Sequence, residues 1–208
     1  MGDSILDNAH YLDEHDSLEE ILKDAKPDAQ ISLLAIDGAL TADTHRQLES
    51  IPEKPGCVFL SCGISEFDDS INELDGIDIT SLEDITANKE KVDAYRRRTK
   101  TRRDAFRASF VSLIDKLAEQ CNKIAVFGIY SNAPANTDVQ RRSFGTVNDV
   151  IMEESALRNI PIINVGALLK NPEDFSTVMP VRPSVYGGRK IFARVKDVID
   201  SNFEHGIY

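Results

Sequence analysis

Met1-Gly2-Asp3-Ser4-Ile5-Leu6-Asp7-Asn8 is the stretch whose reading decides the fold. A small residue, an acid and a serine stand together just ahead of an amphipathic segment. In a parallel α/β domain this is the pattern of a strand ending and a helix beginning. A serine placed there lies at the carboxyl edge of the sheet, beside helix amides that steady an anion. That setting suits a nucleophilic hydroxyl. Taken alone, the same string also reads as a turn followed by a helix cap.

Working outward, helical and strand patterns alternate. Ser17-Leu18-Glu19-Glu20-Ile21-Leu22 predicts a helix to about Lys26, stopped by Pro27. Apolar runs at 31–36, 57–62, 124–130 and 161–165 predict buried strands. Helices are expected over 42–50, 104–120, 139–158 and from Gly187-Gly188 to about Asp200. Residues 66–88 are acidic and weakly periodic, and read as a long loop with short helical pieces, either a rim or lid or a solvated linker. The order implies a parallel sheet with right-handed crossovers and helices on both faces, a three-layer α/β sandwich. One domain over residues 1–208 is the simplest division.

Four blocks in this order resemble the SGNH (GDSL-type) hydrolases. Gly2-Asp3-Ser4-Ile5-Leu6-Asp7-Asn8 is similar to their first block, and Ala35-Ile36-Asp37-Gly38-Ala39-Leu40-Thr41-Ala42-Asp43 to the second. Ser61-Cys62-Gly63-Ile64-Ser65-Glu66 stands where Gly-x-Asn-Asp is expected. Pro183-Ser184-Val185-Tyr186-Gly187-Gly188-Arg189-Lys190-Ile191 resembles the last block of one bacterial branch. Val147-Asn148-Asp149-Val150-Ile151 is also similar to the family.

The resemblance implies a hydrolase of a small ester or acetyl ester, with no cofactor. It makes Ser4 the nucleophile. The amides of Ser4 and Gly38, with Ser65, would form the oxyanion hole, and Gly63 and Ser184 would lie around the same cleft. It also implies five strands. Only four are legible, so the first strand, which belongs immediately before Gly2, is expected to be missing from the chain as read.

Two departures bear on chemistry. Ser65 replaces the family asparagine, and losing such a donor costs about 10²–10³ in rate. No histidine lies between Pro180 and Lys190, where the family base belongs. The similar branch reads Glu-Pro-Ser there, but this chain reads Arg182-Pro183-Ser184. His10, His15, His45 and His205 remain; of these His10, shortly after the nucleophile turn, is the candidate to swing toward Ser4. Two other readings therefore stand beside the hydrolase: a pseudoenzyme that binds a small molecule, and a flavodoxin-like phosphate or nucleotide binder. The second lacks a glycine-rich phosphate loop.

The formal charge of -11 argues against general nucleic-acid binding. The basic run 96–103 then reads as a salt-bridged solvent face rather than a phosphate site. No apolar run is long enough to span a membrane, and no signal peptide precedes Gly2. Three cysteines, Cys57, Cys62 and Cys121, give an odd count that fits a reducing compartment, so a cytoplasmic location is expected. Cys62 is either a reactive thiol at the active edge or a packed one. The absence of a close Cys/His cluster predicts no metal site.

Overall fold

The structure is a computed structural model and describes residues 1–9, 12, 16–66, 77 and 81–208. Its centre is a parallel sheet of three strands in the order β1 (Val58–Leu60), β2 (Ile124–Gly128), β3 (Ile162–Asn164). Val58 pairs with Ile124, and Val126 with Ile162. All five residues of β2 are buried, as an apolar run covered on both faces requires.

The helices are α1 (Leu18–Ala25), α2 (Thr41–Gln47), α3 (Leu82–Ala87), α4 (Lys89–Gln120), α5 (Asp138–Leu157), α6 (Val165–Leu168) and α7 (Val185–Asp200). On one side of the sheet α4 packs along α5, and on the other α1 packs on α7. Because alternate strand residues face opposite ways, Phe59 and Phe127 share a face, with ring centroids 6.1 Å apart. Phe203, just beyond α7, closes on Phe59 at 5.4 Å. The apolar stripe Phe106, Phe110, Leu113, Ile114 and Leu117 is buried on the α4 side. Arg107 and Arg158 both pair with the Glu154 carboxylate, at 2.5 and 2.8 Å; the Arg107 bond, with Arg158 to Asp115 at 3.1 Å, fixes α4 to α5.

Two expectations are corrected. Residues 31–36 do not join the sheet as a strand; among the described residues their tie to its edge is Ile36 N–H to the Gly2 carbonyl, 3.0 Å. What lies between them and β1 is Met1-Gly2. The Met1 amine donates to the Phe59 carbonyl at 2.9 Å, and Ser61 N–H donates back to the Met1 carbonyl at 3.2 Å. A strand needs a ladder of backbone partners, and among the described residues 31–36 make the single Ile36 bond to the edge. The helix expected from Asp104 begins at Lys89, so the basic run lies inside it, with Lys100 paired to Asp104 at 2.8 Å. Of the loop with short helical pieces expected over 66–88, the described part contains α3, while residues 67–76 and 78–80 fall outside the described residues.

The tail around His205 docks on the sheet. Ile162 N–H donates to Gly206, Tyr208 N–H to Ile162, and Asn164 N–H to Tyr208, at 2.8–2.9 Å. The tail thus covers the β3 edge, which would otherwise present unpaired backbone.

Candidate active site

The opening octet is a hub of hydrogen bonds, and each polar residue in it has a distinct job. Gly2 has φ +132°, and a Cβ there would stand 1.8 Å from the Ser61 carbonyl oxygen. Only glycine tolerates both. The Gln47 side chain holds the Gly2 peptide groups as a neighbouring strand would: Gly2 N–H donates to Oε1 at 2.6 Å, and Nε2 donates to the Gly2 carbonyl at 2.9 Å. Asp3 is fully buried; its Oδ1 accepts Ile5 N–H at 3.2 Å, and its N–H donates to Ser61 Oγ at 3.1 Å. Burial pushes the Asp3 carboxyl up, while hydrogen bonds to it from the Ile5 and Ile64 amides and the Ser61 side chain, and the charge of Arg182, pull it back. Asp7 Oδ2 accepts Asp37 N–H at 2.8 Å and so fixes the loop that carries Gly38. Asn8 Oδ1 accepts Leu18 N–H at 2.9 Å and ties down the start of α1.

Ser4 follows Asp3 at the turn and is 1% exposed. Its Oγ accepts a hydrogen bond from Arg182 Nη1. The same guanidinium donates from Nη2 to Asp37 Oδ1 at 2.9 Å. Arg182 therefore joins Ser4 to the Asp37-Gly38 loop. Gly38 has φ +78°, open space where a Cβ would stand, and an N–H that enters no hydrogen bond among the described residues. Arg182 arrives on the segment before α7. That segment is held by Tyr130, whose hydroxyl donates to the Val181 carbonyl at 2.8 Å. Burial pushes the Tyr130 phenol up, so it is a neutral donor.

Ser65 and Arg182 line a cavity of about 80 Å³ with Ile64, Tyr130, Gln140 and Phe144. A larger open hollow of about 490 Å³ lies along the outer side of the Asp37-Gly38 loop; it is lined by neither Ser4 nor Arg182.

The other residues named from the sequence take the following places. Gly63, φ +106°, has its Cβ position 2.7 Å from Val147 and 2.9 Å from Phe106, so the absent side chain makes room for α4 and α5. Ser184 is the N-cap of α7: its Oγ accepts Gly187 N–H at 3.3 Å and donates to the Glu173 carbonyl at 2.6 Å. Asn148 Oδ1 accepts Ile129 N–H at 2.8 Å at the end of β2. Cys62 is fully buried, and burial holds its thiol well above the ordinary range. His45 Nε2 lies 3.1 Å from the Ser109 carbonyl, turned to α4. His10 and His15 lie outside the described residues. The residues that sequence reasoning passed over are Arg182 as a contact of Ser4, and Asp7, Asp37 and Gln47 as its supports. Arg182 stands where the branch acid is expected, which was the available signal.

Among the described residues, no group of three or more His, Cys, Asp or Glu is placed to hold a metal ion, and no helix is long and apolar enough to cross a membrane.

No family model matches the sequence, and no curated protein is significantly similar to it. Solved structures do match. A lipolytic G-D-S-L family protein from Veillonella parvula is 15% identical, covering 96% of this chain and 95% of that one, with a TM-score of 0.63. An acetyl xylan esterase from Geobacillus stearothermophilus is 18% identical over 98% and 93%, with a TM-score of 0.60. An extracellular lipase from Streptomyces rimosus is 16% identical over 94% and 96%, with a TM-score of 0.63. Identities this low speak to the fold and not to the reaction. The order of the four blocks, the parallel sheet with its flanking helices, and these neighbours together give the chain the fold of the SGNH (GDSL-type) hydrolases.

Proposed function

We propose that this protein is an ester hydrolase of the SGNH type that acts slowly on small esters or acetyl esters through Ser4. The observation that carries the reading is the convergence of Ser4 and the Asp37-Gly38 loop, held together by Asp7 and Arg182. Ser4 Oγ attacks the carbonyl carbon, and the resulting oxyanion is stabilised by the amides of Ser4 and Gly38 and the Ser65 hydroxyl. The alcohol leaves with a proton, and water then releases the acid from the acyl-serine. A guanidinium is already fully protonated, so Arg182 does not take the serine proton. The Arg182 cation on the Ser4 hydroxyl and the weaker Ser65 donor would make turnover slow.

A second reading is favoured by one specific contact. Arg182 donates to Ser4 Oγ, which occupies the nucleophile with a cation. A protein in that state would hold a small molecule in the cleft without turning it over. A p-nitrophenyl acetate assay separates the two. The hydrolase reading expects weak turnover above background that disappears in Ser4→Ala. Turnover equal in both proteins would refute Ser4 as nucleophile, and no turnover with retained ligand binding would establish the binding module. No cofactor enters either reading.

A further inference from the structure

We infer that Arg182 is a latch on the nucleophile: its guanidinium shuts the Ser4 cleft in this structure and opens it by swinging into solvent, with Asp37 as the catch. The inference rests on the reading of Ser4 as the nucleophile and names how that site is regulated. Three observations carry it. The first is access. Ser4 is 1% exposed and has Arg182 Nη1 on its Oγ. Attack on an ester needs the carbonyl carbon about 3–3.5 Å from that oxygen, and the arginine nitrogen fills the place the carbonyl must take.

The second is what can move. The backbone around Arg182 is pinned. Arg182 N–H donates to the Met179 carbonyl, and Ser176 N–H donates to the Arg182 carbonyl, each at 2.8 Å. The Tyr130 hydroxyl holds the Val181 carbonyl at 2.8 Å, and Ser184 N–H donates to the Asp174 carbonyl at 2.8 Å. Lifting the segment would break these bonds as well as those of the guanidinium. Rotating the side chain breaks only what the guanidinium makes, its bonds to Ser4 and Asp37. The side chain is therefore the moving part.

The third is balance. A latch works when its two positions lie close in free energy. The closed position gains the Asp37 pair at 2.9 Å, but the two side chains are 16% and 32% exposed, so water weakens the pair. Closure also strands Arg182 Nε, which is buried with no partner among the described residues, and a buried donor left unpaired is destabilising. In the open position solvent hydrates all the guanidinium donors. Asp37 biases the side chain toward closure, because its carboxylate draws the guanidinium over the serine.

The test measures how fast a short alkyl fluorophosphonate labels Ser4 of the full chain, followed by mass spectrometry. The reagent forms a phosphonyl-serine with loss of fluoride and a proton, and it reaches only an uncovered hydroxyl. Arg182→Met keeps the aliphatic stem and removes the guanidinium. It is expected to label about ten- to hundredfold faster than the parent, which corresponds to an open fraction of about 1–10% in the parent. Asp37→Asn keeps Arg182 but weakens the catch, and is expected to label about two- to fivefold faster. Glu154→Ala, which loosens the contact between α4 and α5, is expected to label at the parent rate. An Arg182→Met rate no greater than the parent's, zero included, would overturn the latch. So would unchanged or slower labelling in Asp37→Asn, since Asp37 would then not be holding the site shut. Equal acceleration by Glu154→Ala would overturn it too, by making the effect a general loosening. Asp37→Asn decides the matter even where Arg182→Met does not fold. Ester turnover that survives Ser4→Ala, with the labelling order intact, would refute the hydrolase reading and leave the latch standing; Ser4-dependent turnover without that order would refute the latch alone.

Discussion

Replacing Arg182 by glutamate should turn a slow site into a faster one. Superposed on the arginine through Cδ, a glutamate places a carboxylate oxygen close to where the arginine chain continues toward Ser4, short of the nitrogen that touches the serine. With a small turn of the side chain the oxygen comes within hydrogen-bond reach of Ser4 Oγ and accepts its proton, which arginine never does. Asp37 becomes its neighbour. Two carboxylates in one place push one pKa up, toward the range where a base works best near neutral pH. A positioned base contributes about 10²–10⁴ in rate. Because Ser65 is a weaker oxyanion donor than an asparagine amide, we take the lower end. We expect kcat/KM for p-nitrophenyl acetate to rise by about 10²-fold, equivalent to about 2.7 kcal/mol at the barrier. The rate should climb with pH through the raised pKa of the introduced carboxylate and then level. Losing the Arg182–Asp37 pair should cost about 1–2 kcal/mol of stability, so folding is checked by circular dichroism. The double change Ser4→Ala with Arg182→Glu serves as control. A folded Arg182→Glu protein with less than about threefold gain, or a gain that survives Ser4→Ala, would refute the placement of Arg182 at the position of the base.

Other outcomes follow from the packing and the charges. Gly63→Ala should destabilise by about 2–4 kcal/mol in urea unfolding, since its methyl would press on Val147 and Phe106 at a φ of +106°; a loss under about 0.5 kcal/mol would contradict the tight seat. Glu154→Ala should cost about 1–3 kcal/mol by leaving Arg107 and Arg158 without their shared carboxylate, and the Arg107→Ala effect should shrink in that background. Burial alone would raise the Asp174 carboxyl, but Lys190 at 2.6 Å and the Asn171 and Lys170 N–H groups outweigh it and hold the pKa below 3.8. The stability this confers is present above pH 3.8 and lost as the pH falls through the depressed folded value; the stability gap between the parent and Asp174→Asn should therefore close in acid, and a constant gap would argue against an ionised Asp174. In the native state Cys62 should resist a thiol reagent that reaches the half-buried Cys57, though burial raises that thiol too.

The sequence by itself determined the order of elements, because the apolar runs at 124–128 and 162–164 and the stripe from Phe106 to Leu117 carry their burial in their spacing. It also marked the turn at Ser4, where a small residue, an acid and a serine stand together; that Gly2 meets the Ser61 carbonyl oxygen was decided by the tertiary structure. Local pattern did not determine what the edges of the sheet do. Residues 31–36 look like a strand, yet a strand exists only through a partner, and Met1-Gly2 offers them one carbonyl. The tail at 206–208 looks like an end, yet it finds β3. Nor did pattern show that Ser184 caps a helix, or that Arg182, 178 positions along the chain from Ser4, lays its guanidinium on the serine and on Asp37. A long side chain reaches its partners across space, and only the packing of α7 against the sheet brings Arg182 to them.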